Sequence, residues 1–177
     1  MTHSSMNPEE LRLRALYLFL ACSQAVEQFA DRLTETIPAQ PLSTQLQLQK
    51  TLKRELGLLF RYWTTRHIWQ RWELREADAK QLNLALLRLF TDTFKLPKDG
   101  SGLRYAELST LAEEVQELSQ RITSALGVTH DPLLTELHSA ILPWRDSVIK
   151  WTIDALEWPP EQLAPKVSEW AGRPPNA

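Results

Sequence analysis

The sequence predicts an all-α protein, an up-and-down bundle of about five helices with a Pro-rich C-terminal tail. Three observations lead there. Only 5 of the 177 residues are glycine, and the 11 prolines fall mainly at the edges of periodic segments. Between those edges run stretches rich in Leu, Gln, Glu and Ala, residues that enter helices at little cost. Apolar positions there recur at alternating spacings of three and four, and no apolar–polar alternation is long enough for a strand. With 43% hydrophobic and 24% charged residues the chain has ordinary globular usage and enough apolar content for one core. The expected organisation is a bundle domain over 1–156 and a Pro/Trp-rich tail over 157–177 that packs on it or extends from it.

The first helix starts clearly. Asn7 can cap it, Pro8 suits the first helical position, and Glu10 completes a capping-box-like pattern. Leu11, Ala15, Leu18, Cys22, Ala25, Phe29 and Leu33 share one face, while Leu13, Leu16 and Leu20 fall on others, so this helix is expected to meet several neighbours. It stops near Thr36, ahead of Pro38 and Pro41. A second helical region begins near Pro41–Thr44 and carries no strong breaker until Lys95. As one helix it would span roughly 80 Å, too long for a domain of this size. A break is therefore placed near "READAK", with Asp78 capping a third helix whose stripe is Leu82, Leu86, Leu89, Phe90 and Phe94.

"KLPKDGSG" at 95–102 reads as a loop. A helix over about 103–126 follows, with Leu108, Leu111, Val115, Leu118, Ile122 and Ala125 inward, Glu113, Glu114 and Glu117 outward, and Gly127 as its stop. Asp131 and Pro132 open the last long helix, which carries Leu134, Leu137, Ile141, Trp144, Val148, Trp151 and Ala155 on one stripe, with Pro143 off it and expected to kink the helix. The tail holds five prolines after residue 158 and is expected to form a helical turn or two pinned by Trp158 and Trp170.

Several chemistries are disfavoured. A single cysteine, Cys22, excludes an intramolecular disulfide framework and any multi-cysteine zinc site, and its apolar helix face marks it as a small hydrophobe. The Glu-x-x-His pairs of di-metal bundles are missing, since Thr64, Gly127 and Thr135 stand three before His67, His130 and His138. There is no His-Glu-x-x-His, no glycine-rich phosphate loop and no Gly-x-Ser-x-Gly elbow. No cofactor or metal is expected. "MTHSSMNPEELRLR" puts charges where a signal core would sit, and "LYLFLAC" is too short to span a bilayer. The expectation is a soluble, cytoplasmic protein.

The functional signal lies in "RYWTTRHIWQRW" at 61–72. Residues 50–75 carry seven basic and two acidic side chains, a local net of +5 in a chain whose overall charge is −2. At 100° per residue, Lys50, Lys53, Arg54, Arg61, Arg71 and Arg75 fall within a sector of about 100°, together with Ile68 and Trp72. Such a stripe can dock an acidic protein surface, track a phosphate backbone, or stand as a solvated face partly neutralised by Glu113, Glu114 and Glu117. On the other face, the apolar row through Leu52, Leu56, Leu59 and Trp63 gives way to His67 and Gln70, with Arg66 at its margin. Gln70 is positioned to satisfy His67 there.

The expected function is a non-enzymatic binding or assembly module. It would present the 50–75 helix to a protein partner or to another copy of itself, through Arg54, Arg61, Arg71, Trp72 and Arg75. Nucleic-acid binding through the same stripe is one alternative. A second comes from the Arg61-x5-His67 spacing, which resembles the Arg-x4–6-His motif of HEPN-domain ribonucleases, small all-helical and often dimeric proteins whose arginine and histidine cut RNA at the subunit interface. The resemblance covers seven residues, with Tyr62 where that family usually carries a polar side chain. It implies Arg61 and His67 as a catalytic pair.

Overall fold

The computed structural model describes residues 5–71, 74–98 and 100–172. These form six α-helices rather than five: α1 (Pro8–Glu35), α2 (Leu42–Trp69), α3 (Glu76–Phe94), α4 (Leu111–Leu126), α5 (Asp131–Glu157) and α6 (Pro160–Ala171), with a 3-10 helix at Ser101–Glu107 between α3 and α4. No strand occurs among the described residues. The two central helices are α1, packed against α2, α3, α5 and α6, and α2, packed against α1, α3, α4 and α5. None of the described helices is long and apolar enough to cross a membrane.

α1 begins as its local chemistry dictates, with the Asn7 side chain accepting from the Glu10 N–H at 2.8 Å and Pro8 in the first turn. From Ala15 to Leu33 its predicted face is buried, Leu11 being only half-buried, and so are Tyr17, Val26 and Ala30. That wide apolar perimeter is what a helix touching four neighbours requires. Arg14 is also buried, at 6% exposure. Its Nη1 donates to Ala155 O at 2.8 Å and Trp158 O at 2.7 Å, while Nε and Nη2 hold Glu10. Those carbonyls lie at the end of α5, where helical partners run out, so α1 caps α5 with a guanidinium.

The break between α2 and α3 falls at 70–75, at the leading edge of "READAK". Asp78 does not cap α3. Arg75 holds the extended cap position (φ −64°, ψ 140°) without a side-chain capping bond. Asp78 lies one turn inside the helix and is buried, where its carboxylate accepts from Ser5 Oγ and the Met6 N–H, both at 3.3 Å. That position serves the segment ahead of α1, not the α3 amides.

α2 and α3 approach closely at Gly57, where a Cβ would lie 2.9 Å from Phe94 Cδ2 and 3.2 Å from Phe94 Cβ. Gly57→Ala gains up to about 1 kcal/mol of helix propensity. It also forces Phe94 aside, and overpacking costs about 1–3 kcal/mol. The expected net is a loss of roughly 1 kcal/mol, a fall in Tm of about 2–4 °C in a thermal melt. An unchanged or raised Tm would contradict the close approach.

The helix expected over 103–126 is divided. The 3-10 helix ends at Glu107, Leu108 is extended, and Thr110 caps α4 by accepting from the Glu113 N–H at 3.2 Å. The local Thr-x-x-Glu capping box competes with the continuing apolar spacing and wins. Gly127 ends α4 in the left-handed conformation, as expected (φ 75°). Glu114 does not face outward: it is 2% exposed. The prolines at 159 and 160 start a 12-residue helix instead of a turn, because Pro suits a helix's first positions. Leu163 is buried along α6, and Tyr17 of α1 meets both Trp158 (5.8 Å between ring centroids) and Trp170 (5.1 Å). Trp144 of α5 stacks on Phe29.

Candidate functional site

The last turns of α2 place Trp63, Arg66, His67 and Gln70 on one face by their spacing of three, four and seven. The start of α4 adds Ser109, Leu111 and Glu114, and α5 adds Arg145 and Ile149. Together they line a cavity of about 270 Å³.

Its floor is polar and tied down. Trp63, 1% exposed, donates its indole N–H to Glu114 Oε2 at 2.8 Å. Burial pushes the Glu114 carboxyl above its ordinary value, against the Trp63 hydrogen bond and the charges of Arg66 and Arg145, which favour the anion. Burial also holds His67 below the usual imidazole value, with Arg66 and Arg145 acting the same way and a Gln70 hydrogen bond opposing them. Gln70, the partner expected for His67, lines the same recess. Arg145 Nε is buried without a hydrogen-bond partner. Neither Arg66 nor Arg145 forms an ion pair among the described residues, and Glu114 is the acid of the lining whose anion both favour.

Ser109, His67 and Glu114 share this lining, but they are not wired as a nucleophile and base. Ser109 Oγ donates to Glu113 at 3.1 Å, and no hydrogen bond joins Ser109 to His67 among the described residues. Cys22 is fully buried and its thiol pKa is pushed far up by burial. No group of three or more metal-ligating side chains occurs among the described residues.

The depressed His67 has a measurable consequence. As pH falls below about 6.5 the unfolded chain takes up the proton first, so folding stability declines. Glu114 works in the opposite sense above its ordinary value. Urea unfolding at pH 7 and pH 5.5 is therefore expected to show a wild-type loss that is smaller in His67→Asn. Equal losses would contradict it.

The predicted stripe is dispersed. α2 ends at Trp69, so Arg71 and Arg75 do not continue it. Arg54 pairs with Glu55 at 3.4 Å, and Glu55, itself buried, also accepts from Arg121 Nε at 2.7 Å. Arg71 pairs with Glu157 of α5. Arg61 is half-buried, its Nε has no hydrogen-bond partner, and burial lowers its pKa. Ile68 is in the core, Arg75 is exposed at the start of α3, and Trp72 lies outside the described residues. Among the described residues, Glu55 and Glu157 pair with stripe arginines, and the α4 glutamates named for that role form no ion pair with them. Arg61 and His67 stand about 120° apart around α2 and about 9 Å along it. His67 lines the cavity and Arg61 does not.

Trp63, Arg66, His67 and Gln70 were legible as a polar interruption of an apolar row. Ser109, Glu114, Arg145 and the half-exposed Trp69 were not singled out. Compared with known proteins, the chain matches no family model, no curated sequence and no solved structure.

Proposed function

We propose that the chain is a non-enzymatic binding module that docks a carboxylate-bearing segment of a protein partner at the C-terminal end of α2. The observation that carries this reading is the pair Arg66 and Arg145, unpaired with any acid among the described residues and flanking an open cavity. A guanidinium binds a carboxylate through two parallel N–H donors, and one held in place by a fold loses little freedom in doing so. Trp69, the last residue of α2, is 49% exposed, and Trp and Arg are the residues on which interfaces concentrate their energy.

Calorimetric titration of the full chain with an octapeptide of four Glu and four Gly, and separately with a single-stranded octanucleotide, tests the reading. The peptide is expected to bind, and Arg66→Gln to weaken it about tenfold or more, the worth of one charge-assisted hydrogen bond. Tighter binding of the oligonucleotide, with affinity falling steeply as salt rises, would replace this reading with nucleic-acid binding.

A further inference from the structure

The cavity lining offers three kinds of contact within one recess. Arg66 and Arg145 supply cations from two different helices. Glu114 supplies an acceptor: its Oε2 takes the Trp63 indole N–H at 2.8 Å, and its Oε1 has no donor among the described residues. The Trp63 ring, Leu111 and Ile149 supply an apolar wall. A ligand that fills the recess must bring an anion, a hydrogen-bond donor close to that anion, and an apolar group, all within a small volume.

We propose that the cavity recognises the C-terminal carboxylate of a partner chain. The carboxylate lies between Arg66 and Arg145, the last residue's amide N–H reaches Glu114 Oε1, and an apolar terminal side chain rests on Leu111 and Ile149. The inference rests on the carboxylate-docking reading above and names the group that is docked.

Three considerations select a chain terminus over an acidic side chain. An Asp or Glu side chain ends in its carboxylate, so it carries nothing apolar beyond the anion to cover Leu111 and Ile149. It would also face Glu114 with like charge and no donor between them, which costs free energy. In a terminal residue the carboxylate, the N–H and the side chain radiate from one Cα, matching the three kinds of lining. Size agrees: about 270 Å³ lies just below the range of roughly 300–1,000 Å³ that holds drug-sized ligands, and suits a single residue.

Charge agrees as well. By formal charge, Arg66, Arg145 and Glu114 give the lining one net positive charge, which one carboxylate balances and a phosphate dianion exceeds. Capture of a terminal carboxylate is an established mode of peptide recognition and needs no exposed strand or apolar groove.

The test is a 1H–15N NMR titration of the full chain with three ligands: N-acetyl-Gly-Glu-Gly-Leu as the free acid, the same peptide as its C-terminal amide, and free leucine. Affinity on the order of millimolar suits so small a ligand and is within reach of the method. The free acid is expected to bind at least tenfold more tightly than the amide. Arg145→Gln should erase that difference while its thermal melt shows a folded protein, and Arg88→Gln, exposed on α3 and not in the lining, should preserve it.

Equal binding of acid and amide would overturn the terminal-carboxylate inference and leave side-chain carboxylate docking standing. Binding of free leucine as tight as that of the peptide acid would also overturn it, in favour of a small amino-acid ligand. Binding of none of the three would remove both this inference and the reading on which it rests.

Discussion

The double variant Arg66→Gln/Arg145→Gln is expected to bind an acidic peptide at least about 100-fold more weakly than the wild type, two charge-assisted hydrogen bonds being lost together. The same variant should report on the cavity floor. Arg66 and Arg145 favour the ionised form of Glu114 against its burial, so removing both leaves a carboxylate that is 2% exposed with the Trp63 N–H as its remaining named support. The Glu114 pKa then rises further. A carboxyl raised in the folded state favours folding below its ordinary value, and that contribution is lost as pH climbs through the raised one. The variant should therefore lose stability between pH 5 and pH 8 relative to the wild type, measurable by urea unfolding at both ends. Full affinity for the peptide with an unchanged pH profile would mean that the two arginines are spectators.

Arg14→Ala should produce the largest loss of stability, about 3 kcal/mol. The side chain is 6% exposed and donates to two carbonyls from the end of α5 as well as to Glu10. Truncation leaves Ala155 O and Trp158 O without their donor in a site that water enters poorly, and each such group costs about 1–3 kcal/mol. Arg14→Lys should fall between, because an ammonium lacks the fork that serves both carbonyls and Glu10 at once. For a chain of this length the alanine variant's Tm should fall by roughly 6–12 °C. The near-UV signal of the Tyr17, Trp158 and Trp170 cluster should change with it, since Trp158 is the pivot between α5 and α6. A loss below about 1 kcal/mol would contradict the capping role.

What was legible in the sequence was what local chemistry decides. Asn7, Pro8 and Glu10 start α1 in the structure as their spacing predicts, and Gly127 stops α4. The misplaced start of α4 had a local signal as well, Thr110 and Glu113, overshadowed by the apolar spacing of Leu108 ahead of it. In the tail, Pro159 and Pro160 read as breakers although a helix tolerates proline in its first turn, and Leu163 and Val167 four residues apart already sketched an inward face.

The site was half legible for a different reason. Trp63, Arg66, His67 and Gln70 are neighbours on one helix, so their grouping follows from spacing alone. Glu114 and Arg145 come from other helices, and only packing brings them there. Glu114 nevertheless sits on the α4 apolar row, three after Leu111 and four before Leu118. Arg14 sits three after Leu11 and four before Leu18, and Glu55 three after Leu52 and four before Leu59. All three are buried in the structure. A charged residue at a core position of an apolar row marks a partner arriving from elsewhere in the fold, here Trp63 for Glu114, the α5 carbonyls for Arg14 and Arg121 for Glu55. The basic sector, drawn as if one helix ran through residue 75, lost its continuity when α2 ended at Trp69.

The central claim is that recognition takes place inside the cavity between α2, α4 and α5. Its most direct test is a 1H–15N spectrum of the arginine Nε–H and tryptophan indole groups, recorded as the acidic octapeptide is titrated into the full chain. The account predicts saturable shifts of the Arg66, Arg145 and Trp63 resonances with one common affinity, while Arg54, paired with Glu55, stays in place. Binding that leaves those three unmoved and shifts only groups outside the recess would contradict it.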